Sequence, residues 1–201
     1  MTILTLAENI GILSFALSGL LISYKERLDI LGLFIIMFLT ALGGGVVRDM
    51  LLGDPPYSFT HLLPVSMVLI VMAVGLFFKL HRNESLERNF WYILSDTLGL
   101  VSFAIAGAIV ALKAGFNIYG VIFLSLITAI GGGTLRDVLL NQIPFFLKSE
   151  FYGSVAMIIG ILVYILSMSD LLNPWTLLLL FAGGVALRLL AYYRGWHLPR
   201  I

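Results

Sequence analysis

Seven stretches of this chain are apolar on every side: residues 4–23, 30–52, 62–80, 90–111, 118–140, 151–168 and 175–193. Charged residues, glycines and prolines collect between them. A hydrocarbon layer ~30 Å thick is crossed by roughly 20 helical residues, and each stretch comes near that length. A lone strand in lipid would leave its amides and carbonyls unpaired, whereas a helix satisfies them internally. A membrane barrel would alternate polar and apolar residues over about ten positions, and these stretches do not. The pattern predicts an all-α, polytopic membrane protein with seven transmembrane helices. The first stretch lacks the basic start and small-residue cleavage site of a secretory signal, so it reads as a retained helix.

Composition agrees. Hydrophobic residues make up 60% of the 201 and charged residues 11%, with a mean hydropathy of +1.05; a soluble domain carries roughly 25% charged residues. A net charge of +1 with no basic face argues against a nucleic-acid partner. The chain has no cysteine, which excludes disulfides and thiolate metal sites.

The chain also repeats itself. Residues 8–56 align with residues 96–144 at a constant offset of 88 without a gap, and 18 of the 49 pairs are identical. Gly11, Ser14, Phe15, Ala16 and Gly19 meet Gly99, Ser102, Phe103, Ala104 and Gly107; Lys25 meets Lys113 and Gly32 meets Gly120. Thr40, Ala41 and the triplet Gly43-Gly44-Gly45 meet Thr128, Ala129 and Gly131-Gly132-Gly133, and Arg48-Asp49 and Pro56 meet Arg136-Asp137 and Pro144. Leucine-rich composition would scatter matches over Leu, Ile and Val. Here they fall mostly on Gly, Ser, Thr, Arg and Asp, the mark of a duplication. The third stretches match weakly but occupy compatible positions.

Three spans per copy is an odd number, so the second copy must enter the membrane from the opposite side. The expected architecture is one membrane domain over residues 1–201: a three-helix repeat over about 4–80, its inverted copy over about 90–168, and an accessory seventh helix over about 174–193. Inverted repeats of this kind build transporters whose route runs between the two units. Basic residues collect on the cytoplasmic side. With the N-terminus outside, that side carries Lys25, Arg27, Lys79, Arg82, Arg88, Lys148, Arg194 and Arg200, while the outer loops carry Lys113. The C-terminus is then cytoplasmic, and Trp175, Tyr192, Tyr193 and Trp196 bracket the last helix at the two interfaces.

The chemistry centres on Gly-Gly-Gly-x-x-Arg-Asp, present twice near the end of a long span. Each glycine costs a helix ~1 kcal/mol relative to alanine. Gly43, Gly44, Gly45 and Gly131, Gly132, Gly133 are therefore expected either to bend or unwind their helices beside a polar cavity, or to let two helices pack closely. Charges inside a membrane are costly and mark ion or substrate paths. Arg48-Asp49 and Arg136-Asp137 accordingly read as two polar vestibules at opposite ends of one path, or as headgroup anchors. Glu8 starts the first helix on the side of Arg48, and Asp96 starts the fourth on the side of Arg136, so the pairs Glu8–Arg48 and Asp96–Arg136 are expected. The helix dipole also favours a carboxylate at either place.

Ser14, Ser102, Thr40 and Thr128 are polar within spans and either line the path or bond back to helix carbonyls. Arg188 reads as an anchor snorkelling to the interface, and Gly183-Gly184 as a packing contact. His61, His81 and His197 fall between spans, and no nucleophile–base pair, metal-ligand spacing or phosphate loop falls within one. No enzyme, cofactor or metal is expected.

The doubled motif in a seven-span chain resembles the trimeric intracellular cation channel (TRIC) family and its bacterial and archaeal relatives, over nearly the whole sequence. That resemblance implies a homotrimer in the cell inner (plasma) membrane, with a pore for potassium or sodium ions in each subunit. It implies a pore lined by glycine-bent second and fifth helices, here residues 30–52 and 118–140, with both triplets, Arg48, Asp49, Arg136 and Asp137 as pore elements. Animal members carry a Lys-Glu-Val element and sense phosphoinositides and calcium. This chain contains no Lys-Glu-Val and has short termini, which points to the prokaryotic branch. Bacterial relatives are also labelled glycine transporters, so a carrier that rocks around a central site for a small zwitterion is the alternative.

Overall fold

A computed structural model describes residues 3–78, 87–148 and 151–196. The described residues form nine helices and no strand: α1 (Ile3–Lys25), α2 (Ile30–Leu52), α3 (Tyr57–Thr60), α4 (Leu62–Phe77), α5 (Glu87–Lys113), α6 (Ile118–Leu139), α7 (Phe145–Lys148), α8 (Tyr152–Met168) and α9 (Pro174–Arg194). Five of them, α1, α2, α5, α6 and α9, are long and apolar enough to cross a membrane; α4 and α8 are shorter apolar helices. The protein is a helical, multi-pass membrane protein. Lys79, His81, Arg82, His197 and Arg200, which entered the expectations above, lie outside the described residues.

Local chemistry sets the ends. Asp29 caps α2 by accepting from the Gly32 amide at 2.7 Å, and Asn117 caps α6 by accepting from the Gly120 amide at 3.1 Å, each satisfying one otherwise orphaned first-turn donor. Gly53 closes α2 in the left-handed region at φ 78°, a conformation glycine adopts without penalty. Asn173 and Thr176 form a reciprocal capping box at the start of α9, with Pro174 in its first turn.

Helix α5 sits at the centre: 83% of its apolar window is buried within the protein, against 22% for α9. It packs on α1, α6, α8 and α9. The outer surface is lined by exposed apolar side chains, among them Ile30, Leu31, Leu62, Phe77, Leu178 and Leu179, as lipid-facing positions require.

The contacts repeat at the same offset of 88 as the sequence. A Cβ on Gly19 of α1 would press on Met37 and Thr40 of α2, and one on Gly107 of α5 on Leu124 and Thr128 of α6. Between the copies the contacts are reciprocal. Gly11 lies against the Phe103 ring and Gly99 against the Phe15 ring, with the two rings edge to face at 5.4 Å. Gly44 lies against the Thr128 carbonyl and Gly132 against the Thr40 carbonyl. Exchanging the copies maps each of these contacts onto its partner.

That last contact favours close packing of the two alternatives expected for the glycine triplets. Neither helix unwinds: α2 and α6 run without interruption through Gly43-Gly44-Gly45 and Gly131-Gly132-Gly133. The triplets instead bring α2 and α6 into backbone contact, since a Cβ on Gly43 would lie 3.3 Å from the Gly132 Cα and one on Gly131 3.0 Å from the Gly44 Cα. Freed amides in an apolar interior cost more than the glycine propensity penalty, so the helices keep their ladders and use the missing side chains for proximity. In α9, Gly184 packs on Ile159 and Val101 as expected, while Gly183 has nothing within 4 Å of its Cβ position.

Candidate functional site

Each Arg-Asp pair turns inward at the end of its helix and collects partners from other elements. In the first copy, Arg48 Nη1 donates to Glu8 Oε1 of α1 at 2.8 Å, and Nε donates to Asp49 Oδ1 at 2.8 Å. The remaining Asp49 oxygen accepts from the backbone amide of Tyr57 at 2.8 Å, so the aspartate holds the start of the short helix α3 onto the end of α2. In the second copy, Arg136 Nε donates to Asp137 Oδ1 at 2.8 Å, its Nη1 lies 3.4 Å from Asp96 Oδ1, and Asp137 Oδ2 accepts from the Phe145 amide at 2.7 Å. Both expected pairs are present, but neither acid starts its helix: Glu8 lies past the first turn of α1 and Asp96 well inside α5. Charge-assisted bonds of this type are the strong ones, and in a membrane interior they offset the loss of water around each ion.

The two sites differ in access. An open cavity of about 510 Å³ reaches Glu8, Arg48 and Asp49, with Asp54, Tyr57 and His61 along its wall. A narrower cleft of about 30 Å³ continues inward past Gly45, Ile12 and Phe103, room for two or three waters at roughly 10–15 Å³ each. Gly45, alone in its triplet, has nothing within 4 Å of its Cβ position. The Glu8 side chain keeps 18% of its surface exposed.

Among the described residues the second site is closed to solvent. Arg136 and Asp96 are each 1% exposed. The second oxygen of Asp96 accepts from the Tyr152 hydroxyl at 2.7 Å, its first accepts from Ser18 at 3.2 Å, and the Tyr92 ring lies 5.6 Å from the Arg136 guanidinium. At the offset of 88, Pro64, Ala106 and Leu4 stand where Tyr152, Ser18 and Tyr92 would be matched, and none supplies a hydroxyl.

Arg188 corrects a second expectation. It does not snorkel: it is 1% exposed, and its guanidinium lies 5.1 Å from the Tyr152 ring, 5.7 Å from Phe145 and 5.7 Å from Tyr192. Aromatic faces attract a desolvated guanidinium.

Two of the four candidate hydroxyls are engaged. Thr40 and Thr128 each bond back to the carbonyl four residues earlier, Ile36 and Leu124, at 2.6 Å. Ser14 is half-buried. Ser102 is buried, and its hydroxyl has no hydrogen-bond partner among the described residues. No group of three or more His, Asp or Glu side chains among the described residues is arranged to hold a metal ion. The sequence reading passed over Tyr57, Phe145, Tyr152, Tyr92 and Ser18. Two of them had a signal, because the aromatics Tyr57 and Phe145 directly follow the matched Pro56 and Pro144.

Comparison with known proteins bears on the sequence and fold as a whole. A family model described as glycine transporter matches residues 5–82 and 93–168. The UPF0126 membrane protein YvgT of Bacillus subtilis is 35% identical over 200 residues, covering 96% of this chain and 94% of that protein. The UPF0126 inner membrane protein YadS of Escherichia coli K12 is 32% identical over 154 residues, covering 77% and 74%. Among solved structures, a prokaryotic TRIC channel in 0.5 M KCl superposes with a TM-score of 0.87 at 33% identity, covering 98% of each chain. The TRIC trimeric intracellular cation channel orthologue from Rhodobacter sphaeroides superposes with a TM-score of 0.88 at 28% identity, covering 97% of this chain and 100% of that one. With its doubled glycine–arginine–aspartate sites and this fold, the chain belongs to the glycine transporter family of membrane proteins, in the prokaryotic branch of the TRIC cation channel fold.

Proposed function

We propose that the chain is a monovalent cation channel of the cell inner membrane that carries potassium, and sodium less readily, through a path within each subunit. The observation that carries this reading is the Glu8–Arg48–Asp49 site at the floor of an open cavity. Two carboxylates share one guanidinium there and Asp54 adds a third on the same wall, so the mouth has a formal charge of −2, which concentrates cations and repels anions. Gly45 keeps side chains out of the cleft beyond. The likeness to solved TRIC cation channels supports the same reading.

In this reading α1, α2, α4 and α5, α6, α8 are two oppositely inserted units, α9 is accessory, and the path follows the α2–α6 crossing between Arg48-Asp49 and Arg136-Asp137. The reciprocal contacts at Gly44–Thr128 and Gly132–Thr40 support inversion, because a twofold axis between the units exchanges them. Helices α4 and α8, with 16 and 17 residues, are about 24–26 Å long at ~1.5 Å per residue, close to the hydrocarbon thickness, and complete seven spans. The N-terminus lies outside, the C-terminus is cytoplasmic, and three chains assemble as in the trimeric orthologue.

A specific observation favours a second reading. One site is open and the other closed, as in a carrier caught facing one side, and the family model is described as glycine transporter. Flux from purified protein in liposomes separates the two. Non-saturating potassium current unaffected by glycine is the expected result. Saturable, counterflow-competent glycine uptake without unitary currents would establish the carrier instead.

A further inference from the structure

We infer that Arg188 on α9 is a lock that holds the second end of the path shut, an inference that rests on the channel reading. The asymmetry of charge leads to it. Each copy of the motif supplies two carboxylates and one guanidinium, a formal charge of −1. At the open site the surplus charge faces a cavity of about 510 Å³ and is hydrated. At the closed site Asp96, Asp137 and Arg136 are all buried, and a surplus charge sealed from water is expensive. Arg188 brings the second guanidinium, and it comes from outside the 88-residue correspondence.

Its position couples it to both carboxylates at once. Tyr152 donates its hydroxyl to Asp96, and its ring lies under Arg188. Phe145 donates its amide to Asp137, and its ring flanks Arg188 from another side. One buried cation thus packs the two aromatic residues that occupy the outer oxygens of the two acids. In the first copy the ring of Tyr57, which matches Phe145, stacks on His61 at 3.9 Å, no guanidinium besides Arg48 lines the cavity among the described residues, and the mouth is open. Withdrawing Arg188 leaves the second site with the same surplus charge as the first and with loosened aromatic cover, so water enters and the path becomes continuous.

The test uses the absence of native cysteine. Ser95, buried one residue before Asp96, is replaced by cysteine as a reporter for a water-soluble cationic thiol reagent, in full-length protein reconstituted in liposomes. Potassium flux and potassium-over-chloride selectivity are read alongside. In Arg188→Met and in Tyr152→Phe, which keeps the ring but removes the bond to Asp96, labelling and potassium flux are expected to rise together with selectivity retained. The rise should be on the order of tenfold or more, the shift one charge-assisted hydrogen bond imposes on a two-state balance. Labelling and flux at parental levels in both variants overturn the lock, as does labelling that rises without flux, or a leak that admits chloride equally. Should Arg188→Met fail to fold, Tyr152→Phe decides alone. If the parent passes no potassium, the channel reading falls, while reagent access to residue 95 still judges whether Arg188 seals that site.

Discussion

Replacing Gly44 by alanine places a methyl group against the Thr128 carbonyl, a backbone atom in the middle of α6. A flexible side chain would move aside; here two helices must separate. Overpacking of a tight interior costs about 1–3 kcal/mol, and a backbone obstacle puts this case near the upper end. Alanine returns ~1 kcal/mol as the better helix former, which leaves a net loss of about 2 kcal/mol. Gly45→Ala is the control one residue along the same helix. It meets nothing within 4 Å, gains the same propensity and should stabilise by up to ~1 kcal/mol. For a chain of this size each kcal/mol moves the midpoint by roughly 2–4 °C, so apparent Tm in detergent should fall by about 4–8 °C in Gly44→Ala and rise by about 2–4 °C in Gly45→Ala. Gly132→Ala, against the Thr40 carbonyl, should behave like Gly44→Ala. Equal melting of Gly44→Ala and Gly45→Ala would refute the claim that the triplets serve the α2–α6 crossing.

Other consequences follow from the open site and the caps. Asp49→Asn removes one of the three carboxylate charges at the mouth and should lower potassium-over-chloride selectivity in liposome reversal potentials; unchanged selectivity would leave Asp49 as a clamp for α3 alone. Glu8→Gln and Arg48→Met should be non-additive in thermal stability by about 0.5–3 kcal/mol, the range for residues sharing one ion-pair network, and additive losses would deny their coupling. Asp29→Ala and Asn117→Ala each remove the cap of a long helix and should each destabilise by ~1 kcal/mol, read as similar Tm losses because the two caps are equivalent by the 88-residue offset.

Much of this molecule was readable from its residues because its constraints are local or covalent. Lipid obliges every long apolar stretch to be a helix, so the spans emerged with ends within a few residues of those observed. The largest departures are three residues, at the start of α5 (Glu87 against 90) and the end of α4 (Phe77 against 80). Duplication writes correspondence into the chain itself, and with it the pairs Glu8–Arg48 and Asp96–Arg136. Tertiary structure decided the rest. A glycine triplet carries no mark of whether another helix will come to fill the space its side chains leave vacant; only the meeting of α2 and α6 makes packing cheaper than unwinding. Arg188 lies on a stretch with no counterpart in the other repeat, and nothing in its neighbours along the chain announces that Phe145, Tyr152 and Tyr192 will surround it. Near-equal motifs became one open and one closed site because burial depends on which distant side chains converge, and that convergence exists only once the helices have packed.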